Sequence, residues 1–162
     1  MDLFRAMGVN LPVLNYYNHL RKPVEIMLND FEAEIDRALA SRYRLKINYR
    51  HVYLDLDDCL VINGRLNGTL MAFMAQCLNE KIRLHLLSRH KGDIMDSLRQ
   101  YRIESLFDSV IRIEQGQEKH EHIRYKDSIF IDDSFRERFE VWRCLGIPVF
   151  AVDAIESLLS YD

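Results

Sequence analysis

From Asn48 onward, short apolar runs alternate with helix-spaced patterns, and this alternation constrains the fold of the chain more than any other feature. An apolar run of about four to eight residues between helical patterns reads as a strand buried on both faces, the mark of a parallel sheet with helices on each side. The strands expected are Val52 to Leu54, Ile82 to Leu87, Val110 to Ile113, Ser128 to Ile131 and Val149 to Val152. Helical spacing covers Thr69 to Asn79, Gly92 to Tyr101, Phe135 to Leu145 and Ala154 to Leu159, with Gly146-Ile147-Pro148 stopping the third of these. Val61 to Leu66 reads as a small hairpin turning at Asn63-Gly64. The fold class expected is therefore α/β, a Rossmann-like parallel sheet over residues 48–162.

In an open sheet of this kind the site lies outside the carboxyl ends of the strands, so the residues that follow each run matter most. The first run leads into Asp55-Leu56-Asp57-Asp58-Cys59-Leu60, the second into Ser88, and the fourth into Asp132-Asp133. If the chain stays extended, Asp55 and Asp57 share one face, because side chains there alternate with period two. Two carboxylates held that close repel, and a shared proton or a bound cation relieves them. Mg²⁺ suits such a pair, since it prefers oxygen ligands and keeps several waters. The plain alternative is an acidic loop after a strand.

Residues 1–47 read as a separate, helical N-terminal segment. Ile26, Met27, Phe31, Ile35, Ala38 and Leu39 fall at helical spacing, which predicts an amphipathic helix from Glu25 to Leu39. Pro12 and Pro23 punctuate what precedes it, and Leu11 to Tyr17 is apolar and aromatic enough to pack on the core or on a partner. A homo-oligomer or a partner protein docked through this segment is the second of those expectations.

A chain of 162 residues can bury a proper core as one domain. Its net charge of -3 gives no electrostatic footprint for nucleic acid and no basic anchor for a membrane. No apolar run approaches the roughly 20 residues of a membrane-spanning helix, and the first residues lack a signal-peptide pattern. Cys59, Cys77 and Cys144 are odd in number and widely spaced, so reduced thiols and a cytoplasmic location are expected. His120 and His122 flank Glu121 on a connection, where solvated side chains are the simpler reading than a zinc site. Trp142 shares a helix with Phe135 and Phe139 and is most simply a core anchor.

Asp55-Leu56-Asp57-Asp58-Cys59-Leu60 resembles the Asp-x-Asp-x-Thr-Leu motif of the haloacid dehalogenase (HAD) superfamily. The order of Ser88, Lys119 and Asp132-Asp133 along the chain matches that family's later motifs, and the resemblance covers about Asn48 to Asp162. More narrowly, Leu87 to Asp93 and Phe130 to Arg138 look like HAD modules found with ATP-grasp, carbamoyl-phosphate-synthase-like proteins.

The resemblance implies a Mg²⁺-dependent phosphatase acting on a phosphate monoester through an aspartyl-phosphate. Asp55 would be the nucleophile and Asp57 the general acid and base, with Ser88 and Lys119 on the phosphoryl oxygens. Asp133, with Asp132 beside it, would join Asp55 and the backbone carbonyl of Asp57 around the metal. Arg89 and Lys91, in the loop after Ser88, are candidates for substrate contact, and His90 shares that loop. Arg136 and Arg138 could help bind an anion.

Asp58 stands where the family often has Gly and Cys59 where Thr is usual, which would leave Asp57 less tightly oriented. The short spans from Asp55 to Ser88 and from Ser88 to Lys119 leave no room for an inserted cap, so a capless molecule is expected. An oligomeric neighbour or the N-terminal segment could then enclose a small substrate. The competing reading is a non-catalytic module that binds a phosphorylated ligand or a protein partner.

Overall fold

In the computed structural model, which describes residues 3–37 and 41–160, the chain opens with two short helices, α1 (Leu3–Ala6) and α2 (Leu11–His19). The Asn10 carboxamide starts α2 by accepting from Val13 N at 3.2 Å, yet none of the residues of α2 is buried. An extended stretch leads from there to an antiparallel hairpin of β1 (Ala33–Arg37) and β2 (Ser41–Leu45).

The helix expected from Glu25 to Leu39 is therefore not formed; Ala38 and Leu39 of that span lie outside the described residues. Its spacing explains the misreading. Met27, Phe31 and Ile35 recur every four residues, which keeps them on one face of a helix and equally on one face of a strand, because four is even. Burial follows the strand reading: Met27 and Asn29 are buried and Phe31, Ala33 and Ile35 half-buried, while Ile26, Leu28 and Asp30 between them are exposed.

Asn29 is what extends this arm along the domain. Its Nδ2 donates to Val149 O at 2.8 Å, and its Oδ1 accepts from Val149 N at 2.9 Å. The side-chain amide thus imitates the missing neighbour of an edge strand. Phe31 stacks on Phe150 with ring centroids 6.0 Å apart, and Asn29 N donates to Met7 O at 2.9 Å. Gly8 permits that approach: its φ is +94°, and a Cβ there would sit 3.3 Å from Met27 O.

The central sheet is parallel and five-stranded. Its strands are β3 (His51–Leu54), β6 (Arg83–Ser88), β7 (Ser109–Arg112), β8 (Ser128–Ile131) and β9 (Val149–Phe150), in the order β7-β6-β3-β8-β9. Between β3 and β6 lie the hairpin of β4 (Val61–Ile62) and β5 (Arg65–Leu66), then α3 (Gly68–Asn79). Asn63 and Gly64 take φ of +51° and +71°, the two positive values that a type I′ turn demands. Next along the chain are α4 (Ile94–Tyr101), begun by Asp93, and α5 (Phe135–Leu145), begun by Ser134 and ended by left-handed Gly146. The last expected strand is shorter than its pattern, with β9 ending at Phe150, and the last helix is of the tighter 3-10 kind, over Val152–Leu158.

Alternation along β3 divides the core. Val52 and Leu54 face α3, α4 and the last 3-10 helix through Leu70, Phe73, Leu98 and Ile155, whereas Tyr53 faces Phe130, Leu87, Val149 and Val141 on the α5 side. Trp142 is only half-buried and packs on the edge of that second cluster, so it borders the core rather than anchoring it. Three described cysteines are free, with Cys59 and Cys77 buried and Cys144 exposed. Among the described residues, no helix is long and apolar enough to cross a membrane.

Candidate active site

The ladder that builds the sheet continues one step past β3 and fixes the first acid. Asp55 N donates to Ile131 O at 3.1 Å, and Asp132 N donates to Phe150 O at 3.2 Å, so both carboxylates leave the carboxyl edge side by side. Asp55, Asp132 and Asp133 each bring a carboxylate oxygen within 4.8 Å of the others. Between Asp55 and Asp132 sits Lys119, with Nζ 2.6 Å from Asp132 Oδ2 and 3.1 Å from Asp55 Oδ1. Lys119 is 2 % exposed and Asp132 0 %, so this is a buried cation between two buried acids.

Each of these groups is titrated by its neighbours. Burial pushes the Asp132 carboxyl up to about 6, opposed by Lys119 and reinforced by the charge of Asp55. Burial also raises Asp55, against the pull of Lys119. Burial disfavours the Lys119 ammonium, but Asp55 and Asp132 together outweigh it and hold the group above its ordinary value, so it stays charged.

Lys119 begins a 3-10 turn, Lys119–His122, whose first turn closes when Glu118 N donates to Glu121 Oε2 at 3.2 Å. The Glu118-x-x-Glu121 spacing was the available signal that a helical turn would start there and carry Lys119 inward. His120 and His122 belong to no metal-ligating cluster among the described residues.

Ser88 ends β6 next to β3. Its hydroxyl is buried and has no hydrogen-bond partner, an orphan polar atom at the edge where the carboxylates gather. Asp132 spends its oxygens on Lys119 and on Ser134 N, which donates to Oδ1 at 2.8 Å. Asp133 is exposed, and among the described residues no hydrogen bond or ion pair engages its carboxylate. These three carboxylates suit an oxygen-seeking cation: two are buried in the protein and one faces the open side.

Asp57 behaves differently from the shared-face expectation. The strand ends at Leu54 and the chain turns through Leu56 to Leu60, so the Asp57 carboxylate lies outside the three-acid cluster and 2.9 Å from His90 Nδ1. His90 Nε2 in turn lies 2.9 Å from Ser97 Oγ. A carboxylate, an imidazole and a hydroxyl thus run in series from the half-exposed Asp57 to α4. His90 is the functional candidate that pattern reading underweighted, because nothing in the sequence marks it apart from its exposed neighbour Lys91.

Arg89 and Arg138 are engaged within the protein. Arg89 donates from Nε to Glu137 at 3.0 Å and from Nη2 to Gln117 O at 2.7 Å, tying the Lys119 connection to α5. Lys91 is exposed in the same loop. Arg138 is buried and donates to Asp132 O at 2.6 Å and Asp133 O at 2.7 Å, holding the second acidic pair in place, whereas Arg136 is exposed.

No family model and no curated protein matches the chain. Among solved structures, an uncharacterized protein from Corynebacterium glutamicum superposes over 70% of this chain and 98% of its own, at 14% identity and a TM-score of 0.49. The core domain of a proposed phosphoglycolate phosphatase from Streptococcus pneumoniae superposes over 65% of this chain and 80% of its own, at 16% identity and a TM-score of 0.46.

Proposed function

We propose that this protein hydrolyses phosphate monoesters in a Mg²⁺-dependent reaction through an aspartyl-phosphate on Asp55, as the HAD resemblance implies. The observation that carries the reading is the buried Asp55–Lys119–Asp132 cluster at the carboxyl edge, with the partnerless Ser88 hydroxyl beside it. A structural salt bridge needs one acid per base and no orphan hydroxyl. A phosphoryl site needs this excess of polar groups.

Asp55 would attack phosphorus through a carboxylate oxygen as the bond to the leaving oxygen breaks. That oxygen takes the proton of the Asp57 carboxyl as it departs. Water then attacks the same phosphorus, gives its proton to the Asp57 carboxylate, and displaces Asp55. Lys119 and the Ser88 hydroxyl donate to the phosphoryl oxygens throughout, and His90 holds Asp57 at the position from which it serves both steps. Asp55, Asp133 and the Asp57 carbonyl, with Asp132 beside them, would hold Mg²⁺, which would supply charge neutralisation for the phosphoryl oxygens among these carboxylates. The free cysteines suit a reducing, cytoplasmic compartment.

Phosphate release from a panel of monoesters tests this directly. Release should require Mg²⁺, vanish in Asp55→Asn and fall about 10²- to 10⁴-fold in Asp57→Asn. Release that survives Asp55→Asn would end the covalent mechanism. An inert panel, with no metal-dependent trapping of beryllium fluoride, would leave the non-catalytic binding module as the better reading.

A further inference from the structure

A cavity of about 760 Å³ lies between the N-terminal arm and α5, within the size range of small-molecule sites. Asp133 is part of its lining, so it opens directly onto the candidate site. Most of its wall is apolar: Val13, Leu14 and Tyr17 come from α2, Val24 and Ile26 from the extended arm, and Phe139 from α5, with Lys22 and Glu25 among the charged residues that complete it. Val13 and Ile26 are 43% and 57% exposed, so this wall presents uncovered apolar surface to whatever enters. Of the three cations in its lining, Arg5 is engaged by the Asp153 carboxylate and Arg138 by the Asp132 and Asp133 carbonyls, while Lys22 is exposed. An alkyl or aryl group would be desolvated against the arm, whereas most of this wall offers the hydroxyls of a sugar no partner.

We infer that this cavity takes an apolar, uncharged organic group; on the phosphatase reading above, on which this step rests, that group is the alcohol portion of the substrate. The arm then does what an inserted cap would do, and Asn29 and Gly8 are the residues that fix it against the domain. The chemistry favoured is a phosphate monoester of an alkyl or aryl alcohol over a phosphorylated sugar.

Two measurements on the full chain separate this inference from the reading beneath it. With Mg²⁺ present, kcat/KM for linear alkyl phosphates should rise about fourfold per methylene from ethyl to hexyl, the factor corresponding to about 0.8 kcal/mol per buried CH₂. Hexyl phosphate should exceed glucose 6-phosphate and glycerol 3-phosphate. Val13→Asp and Ile26→Asp should flatten the series, whereas Leu20→Asp, an equally exposed arm position outside the cavity, should not.

The second measurement needs no turnover. The chain has one Trp, and Trp142 lies 5.9 Å from the ring of Phe139 on the cavity wall. 1-Hexanol should change its fluorescence saturably in the wild type and in Asp55→Asn, and no longer in Val13→Asp. Saturable hexanol binding by a protein that hydrolyses no ester would retain the cavity and remove the phosphatase reading. Turnover indifferent to chain length, with no saturable response, would overturn the cavity and leave the phosphatase standing.

Discussion

Replacing Lys119 with Met keeps the length of the side chain and removes its charge, leaving Asp55 and Asp132 buried against each other. At 2.6 and 3.1 Å, the two ion contacts amount to about 5–6 kcal/mol each at an effective dielectric of about 20, before the cost of desolvation is subtracted. Buried pairs broken from one side typically cost about 3–5 kcal/mol net, because the remaining charge is stranded. At pH 8, above the value of about 6 that Asp132 has beside Lys119, we expect a loss of about 4 kcal/mol.

Lowering the pH should shrink that loss. Asp132 has a folded-state value of about 6 against 3.8 for the free carboxyl, so the folded state takes up a proton more readily than the unfolded state. Such a group costs stability as pH rises from about 4 to 6 and adds no further slope above that. Without Lys119 its value climbs higher still, and the costly window extends toward neutral pH. At pH 5 the proton it carries separates the two charges, and the loss should fall below about 2 kcal/mol.

Urea unfolding followed by Trp142 fluorescence at pH 5 and pH 8 measures both numbers. The double variant Lys119→Met/Asp132→Asn should recover most of the pH 8 loss, and Mg²⁺ should raise the midpoint of Lys119→Met more than that of the wild type. Equal losses at the two pH values, or a Lys119→Met protein as stable as wild type at pH 8, would refute the argument that Lys119 neutralises a buried acid pair.

Three further outcomes are expected. Asn29→Ala strips Val149 of both partners and should cost about 2–4 kcal/mol, with fast hydrogen exchange at the Val149 amide as its local signature. His90→Phe should lower kcat about tenfold with little change in KM and alter the pH profile of kcat, since it frees the Asp57 carboxylate it holds; a change confined to KM would contradict a positioning role. Burial lowers both His51 and His85, which lie 2.9 Å apart, so the pair favours the fold above about pH 6.5 and loses that contribution as pH falls below it. The double variant His51→Phe/His85→Phe should show a smaller acid-induced drop in stability than wild type between pH 6.5 and 4.5.

How much of this was legible in the sequence depends on the kind of signal. The parallel sheet was, since apolar runs such as Ser128 to Ile131 are buried at every position and could be nothing but central strands. So was the turn at Asn63-Gly64, where residue type and dihedral demand coincide. The arm was not, because Met27, Phe31 and Ile35 satisfy two periods at once and only the polar Asn29 between them distinguishes the strand. Asn29 looks like a breaker until Val149 is beside it. Arg89 read as a candidate for substrate contact and Arg138 for anion binding, and their engagement within the fold was hidden for the same reason: their partners are backbone carbonyls and acids 5 to 48 residues away, which no local pattern reveals. The order Asp55, Ser88, Lys119, Asp132 was visible, but the inward turn of Lys119 rests on the Glu118 and Glu121 closure around it.

The two departures from the motif take on a different weight once the backbone is known. Asp58 has φ of +54°, a left-handed conformation that Gly adopts freely and that Asp, with its short polar side chain, tolerates better than most residues. The position asks for a backbone geometry, and Asp meets it without entering the carboxylate cluster. Cys59 is fully buried, with Sγ 3.9 Å from Ile131 O, so its side chain turns to the strand beside Asp55 while Asp57 is held from the opposite loop by His90. Burial and the neighbouring Asp55 and Asp132 raise its thiol well above the ordinary value, which keeps it neutral and rules it out as a competing nucleophile. The orienting hydrogen bond that Cys gives only weakly is thus supplied by His90. The buried Cys at this position and the histidine on Asp57 are therefore one arrangement. Cys59→Thr should leave turnover nearly unchanged while His90 is present and partly restore it in His90→Phe.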